Sequence, residues 1–287
     1  MNHLKKKVFF GKIISFLLGF ILCLIMFLLN VLLIFQFTIG NFSNISKTLV
    51  SSNYYKYLTQ EIKTKMYEYG DVCGIPHNVF DNVITESRVS KDSYQYFNNC
   101  FTNKQNNINS SLLTKDLNYK ILEYSKTNNT AQTTPEQLNK NVTVFVQQCI
   151  ATYYDTINIP YLTVVGGMVA KSSQYINAVI VILLLLFAIG MVCLYFIQSY
   201  NHRFWRYIVY TLTGSALMLI VIPIYIFNSR IISRLGFNQK SIYYLLNNLL
   251  TNMFYYYFWS VLALLILAVL SQITCIYFKN KYSCKCN

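Results

Sequence analysis

The stretch 13–37, IISFLLGFILCLIMFLLNVLLIFQF, carries no charged side chain. It is long enough to cross the ~30 Å hydrocarbon core of a bilayer, which takes about 20 helical residues. Three further uncharged apolar runs lie at 176–198, 207–227 and 254–278. All ten acidic residues fall between Glu61 and Asp155, in the stretch that separates the first run from the second. The chain therefore reads as all-α: a four-helix transmembrane anchor with an extracytoplasmic helical domain inserted between spans 1 and 2. The hydrophobic share of 54% in 287 residues fits an integral membrane protein.

The first run is longer than the roughly 7–15 apolar residues of a signal peptide, and no small-x-small site closes it. It reads as an uncleaved anchor. The expected plan is a basic N-terminus (1–12), span 1 (13–37), the helical domain (38–175), span 2 (176–198) and a short loop (199–206). Span 3 (207–227), a loop with an amphipathic helix (228–253), span 4 (254–278) and a tail (279–287) complete it.

The net charge of +14 suggests nucleic acid until it is mapped. Lys5, Lys6, Lys7, Lys12, Arg203, Arg206, Lys279, Lys281 and Lys285 flank spans on one side; Arg230, Arg234 and Lys240 lie on the other. The remaining twelve bases share the 40–172 segment with its ten acids. By the positive-inside rule both termini are cytoplasmic in a multi-pass protein of the cell membrane. The bases have no extended soluble face on which to form a nucleic-acid patch, so no nucleic-acid partner is expected.

The spans carry aromatic ends, with Trp205 and Tyr207 on one side and Tyr255, Tyr256, Tyr257 and Trp259 on the other. Gly214, Ser215 and Ala216 form a small-residue patch suited to close helix approach. Pro223 is expected to kink span 3. Asn30 reads as an amide bonded to a neighbouring helix, and Gln36 as one that reaches the interface.

Within the helical domain, Tyr54, Tyr55, Tyr57, Leu58, Ile62, Met66 and Tyr67 mark a helix over about 46–69 closed by Gly70. Cys73 to His77 reads as a turn and 78–85 as a short helix. A run from Ser90 through Phe101 and a helix over 114–126 follow. Thr134-Pro135-Glu136-Gln137 is a helix start that resembles a capping box. Further on, Ser241 reads as the cap of an interfacial helix. Its stripe is Ile242, Leu245, Leu246, Leu249, Leu250 and Met253, laid on the membrane surface or packed against the helical domain.

Eight cysteines are present. Cys23 and Cys193 lie in spans; Cys275, Cys284 and Cys286 lie near the cytoplasmic end. Cys73, Cys100 and Cys149 face outward, where one disulfide can form with the pairing open. Cys73, His77, Cys100 and Cys149 have the ligand types for zinc but not a known spacing. Phosphate-binding and dinucleotide-binding glycine loops, HExxH and GxSxG are all missing. No catalytic residue, cofactor, metal or small-molecule ligand is expected. Asn41, Asn44, Asn109, Asn128 and Asn141 stand in glycosylation sequons.

The segment Asn53-Tyr54-Tyr55-Lys56-Tyr57-Leu58, the turn Gly74-Ile75-Pro76 and the following Val79-Phe80 resemble uncharacterised four-span membrane proteins of low-GC Gram-positive, clostridia-like bacteria. That resemblance implies the same span order and a helical outer domain, and carries no activity. The expected function is that of a non-enzymatic accessory, scaffold or sensor subunit. Its expected partners are the lipid bilayer and other membrane proteins or further copies of the chain. An oligomeric channel or transporter subunit for an apolar peptide or lipid is the alternative, and an extracytoplasmic thiol enzyme the third.

Overall fold

A computed structural model describes residues 2–102, 104, 110–127, 135–159, 161–198, 200–229 and 239–283. Among these, every regular element is a helix. In chain order they are α1 (Asn2–Thr38), α2 (Phe42–Ser51), α3 (Tyr54–Cys73), α4 (His77–Asp81) and α5 (Glu86–Thr102). They continue with α6 (Ser111–Thr127), α7 (Pro135–Ile157), α8 (Leu162–Ile197), α9 (Asn201–Ser229) and α10 (Lys240–Ser283). Four helical stretches are long and apolar enough to cross a membrane: Ile13–Thr38, Leu162–Ile197, Asn201–Ile226 and Lys240–Lys281.

Several boundaries differ from the sequence pattern, for local reasons. The stripe read as one helix over 46–69 is two, because Asn53 adopts the left-handed conformation (φ 54°) and breaks the chain between α2 and α3. Gly70 does not close α3. It lies buried inside the helix, under the Phe80 ring, where an added Cβ would stand 2.6 Å from Cε2. Gly74 closes the helix instead, at φ 67°. Its N–H bonds Asp71 O, and that of Ile75 bonds Gly70 O, a Schellman arrangement. Helix α5 starts at Glu86 rather than Ser90, with the Thr85 hydroxyl accepting from the Arg88 N–H. The stripe at 241–253 and the apolar run at 254–278 belong to one helix, α10, because neither Gly nor Pro occurs within it. Thr134, expected as a cap, and Arg230, Arg234, Cys284 and Cys286 lie outside the described residues.

The chain forms two compact units. The first is drawn from Met1–Gly40, Ser172–Leu235 and Leu250–Asn287. Its core joins α1, α9 and α10 through Ile34, Leu212, Ala216, Leu219, Tyr257, Val261 and Leu264. Small residues set the approach: a Cβ on Gly214 would lie 2.8 Å from Cys23 Sγ, and one on Gly190 2.7 Å from Leu22 Cδ2. Ser260 donates to Asn30 Oδ1 (2.7 Å), so Asn30 does bond a neighbouring helix. Gln36 does not merely reach outward; its amide donates to Ser173 Oγ on α8 (2.9 Å). An apolar surround offers few competing partners, which favours such pairs. Little of α8 is covered: 6% of its most apolar window is buried.

The second unit is drawn from Asn41–Lys171 and Gly236–Leu249. Helix α3 is its centre and packs on α2, α4, α5 and α7, while α6 lies against α4 and α7. Leu49, Tyr54, Leu58, Ile62, Met66, Phe80, Ile84, Val89, Phe97, Leu117, Ile121, Val146, Cys149 and Tyr153 form the core. Burying an aliphatic or aromatic side chain of this size contributes about 1.5–3 kcal/mol.

Candidate functional site

Helix α3 presents its core stripe on one face and a polar stripe on another. Tyr57, Gln60, Glu61, Thr64 and Glu68 recur at three- and four-residue steps on that second face. With Lys63, Lys65, Tyr67, Gln239 and Lys240 they line a cleft of about 910 Å³ within the second unit.

At one edge the first turn of α10 is gripped. Glu61 accepts the backbone N–H of Ser241 (2.9 Å) and its hydroxyl (2.7 Å). The backbone N–H groups of a first helical turn lack intrahelical partners and favour negative charge, so a carboxylate is well matched there. One turn back along α3 and one turn on along α10, Tyr57 and Tyr244 stack at 4.4 Å with rings 14° apart. Asn248 donates to Ser51 Oγ (3.4 Å). Ser241 is therefore not the cap its sequence suggests: it is buried in the first turn and is itself held by the distant carboxylate.

At the other edge Asp81 accepts from Lys63 Nζ (2.6 Å) and the Tyr67 hydroxyl (2.5 Å). The lysine, then the tyrosine, hold the Asp81 carboxyl below its ordinary range. Burial, with Asp81 second, pushes the Tyr67 hydroxyl up to about 12. His77 stacks on Tyr67 (4.0 Å, 11°) and meets Asp71 Oδ1 at 2.8 Å. Lys65 donates to Thr156 on α7 (3.0 Å), and the Thr64 hydroxyl turns back to Gln60 O. These groups hold one another, so the cleft offers mixed charge around fixed aromatic rings.

The cysteines do not converge on it. Cys73 is exposed at the end of α3, Cys100 is buried on α5 and Cys149 is buried on α7. His77 is engaged by Tyr67 and Asp71, away from Cys100, which neighbours Tyr96. None of the six described cysteines is disulfide-bonded. Among the described residues no three His, Cys, Asp or Glu side chains cluster as a metal would require. Of the proposed interfacial stripe, Leu245 is buried and Ile242, Leu246, Leu249, Leu250 and Met253 are half-buried. Glu61 and Glu68 stand seven residues apart on one face of α3, and only a pairing across 180 residues distinguishes the first from the second.

No family model matches the chain, and neither a curated protein nor a solved structure matches it.

Proposed function

We propose that this chain is a non-enzymatic multi-pass membrane protein, an accessory or sensor subunit of a cell-surface complex. The segment 38–175 is its extracytoplasmic domain and both termini are cytoplasmic. One observation carries this reading. The first turns of α10 are held by Glu61 and Tyr57 of α3, and α10 continues without a break into a span-length apolar stretch. A partner that engages α3 thus reaches the face that holds the first turns of α10, and helix shifts are an established route for carrying a signal. The nine span-flanking bases on the proposed inner side, against three on the outer, support the orientation.

The test is a crosslinked pull-down of the tagged chain from its own host membranes, with the Glu61→Ala form in parallel. A membrane ATPase, permease or signalling protein recovered in stoichiometric amount, and lost with Glu61→Ala, supports the subunit role. Recovery of the chain alone, as an oligomer, overturns it in favour of an oligomeric channel or transporter subunit for an apolar peptide or lipid. The little-covered surface of α8 is what favours that second reading.

A further inference from the structure

The sequence leaves open which of three cysteines pair; helix register narrows the choice. Helices α3 and α7 pack directly and run antiparallel, as two landmarks show. Lys65 on α3 meets Thr156 on α7, and Phe80 of α4, whose ring covers Gly70 on α3, meets Phe145 (ring centroids 6.4 Å). Residue numbers rise on one side as they fall on the other. Cys73 stands eight residues after Lys65, and Cys149 seven before Thr156. At 1.5 Å per residue both lie about 11–12 Å from the same landmark. Cys149 also shares the buried stripe of α7 with Val142, Val146, Tyr153 and Thr156.

Cys100 sits elsewhere. Its carbonyl abuts Gly166, where an added Cβ would stand 2.9 Å from the oxygen. Tyr96, one turn earlier, donates to Asn158 Oδ1 and Ile159 O, beyond the end of α7. Asn158 is nine residues from Cys149, or about 13 Å along the helix. A disulfide needs Cα atoms within roughly 7 Å.

We propose that Cys73 and Cys149 are a redox pair that forms the α3–α7 disulfide, with Cys100 left as a thiol. Burial first, then the charge of Cys73, pushes the Cys149 thiol up to about 12. The order of events follows from access. The exposed Cys73, as thiolate, attacks one sulfur of an external disulfide; that S–S bond breaks and one thiolate leaves. Cys149 then gives up its proton, its sulfur attacks Cys73 Sγ, and the second external thiol departs with that proton. Two protein thiols are oxidised and one small-molecule or protein disulfide is reduced to two thiols. With its thiol pushed up, Cys149 makes the second step the slow one.

The inference does not depend on the proposed function. The full-length chain in mild detergent is incubated with oxidised glutathione, denatured, alkylated and mapped by mass spectrometry without reduction. The expected product is a peptide holding Cys73 linked to one holding Cys149 within a single chain, in most molecules. It persists in Cys100→Ser and is lost in Cys73→Ser and Cys149→Ser. Glutathione stable on Cys73 with Cys149 alkylated, a link through Cys100, or all three cysteines alkylated overturns the pairing. The mapping of the unsubstituted chain decides the matter even where a serine variant folds poorly.

Discussion

Glu61 and Ser241, 180 residues apart, form a two-point cap: both carboxylate oxygens accept from one residue, the backbone N–H to Oε1 and the hydroxyl to Oε2. The cap serves the first turn of α10, whose own residues supply no acidic side chain there. Removing a capping oxygen costs about 1–2 kcal/mol. Glu61→Ala is expected to destabilise the chain by that amount in a denaturant titration in detergent. Glu68→Ala, on an exposed stretch of the same helix face, is expected to stay within about 0.5 kcal/mol. Equal effects from the two would remove the special role of Glu61.

Two buried tyrosines make opposite predictions. Tyr153 donates to Asp92 Oδ2 at 2.8 Å, whereas the Tyr54 hydroxyl has no hydrogen-bond partner among the described residues. Tyr54 is held by rings instead, edge-on to Phe97 at 5.6 Å. A buried unsatisfied hydroxyl costs about 1–3 kcal/mol. Tyr54→Phe is expected to raise unfolding free energy by about 1 kcal/mol, and Tyr153→Phe to lower it by a similar amount. Thermal melts of the two variants beside the parent check the signs.

Gly166 and Gly70 are helical positions where alanine normally stabilises by up to about 1 kcal/mol. Here a Cβ meets the Cys100 carbonyl oxygen at 2.9 Å or the Phe80 ring at 2.6 Å. Overpacking of this kind costs about 1–3 kcal/mol, so both substitutions are expected to destabilise. At Gly70 the Cβ also meets the Ile75 carbonyl oxygen at 2.9 Å, so both positions press on backbone and the two losses should be comparable. A melting temperature unchanged in Gly166→Ala would show that the α5–α8 approach relaxes freely.

The pH dependence has two limbs with different signs. Asp81 is held low, chiefly by Lys63 and then Tyr67, so its contribution is present above the ordinary carboxylate value and is lost as pH falls through the lowered one. Stability should therefore decline below about pH 4. Asp81→Asn should flatten that decline at a neutral-pH cost under about 1 kcal/mol, the pair being partly exposed. Tyr54 and Tyr153 are pushed up, first by burial, and Tyr67 to about 12. Their contribution is complete below about pH 10 and is lost as pH rises through the raised values. The part of the tyrosinate absorbance that Tyr54→Phe and Tyr153→Phe remove should appear together with helix loss by circular dichroism above that pH. That part appearing well before helix loss would contradict the burial.

Local periodicity made much of the fold legible. Four uncharged runs announced four span-length helices, and the spacing of Leu58, Ile62 and Met66 announced the buried face of α3. Pro135 marked the start of α7 where it is found. These signals depend on neighbours three or four residues away, which a sequence displays directly. The same short range explains the errors. Gly70 looked like a helix end because glycine is favoured there, yet the Phe80 ring needed its missing Cβ and Gly74 took the left-handed turn.

The sequence by itself determined the all-helical class, the four apolar stretches and the confinement of every acid to one segment, because burial of apolar surface and helical repeat act residue by residue along the chain. Tertiary structure alone decided that Glu61 caps Ser241 while Glu68 stays in solvent, that Gln36 bonds Ser173, and that Cys73 rather than Cys100 shares a level with Cys149. Each of these joins residues far apart in sequence, and the distance between them is set by how helices pack in register, a quantity no local pattern encodes.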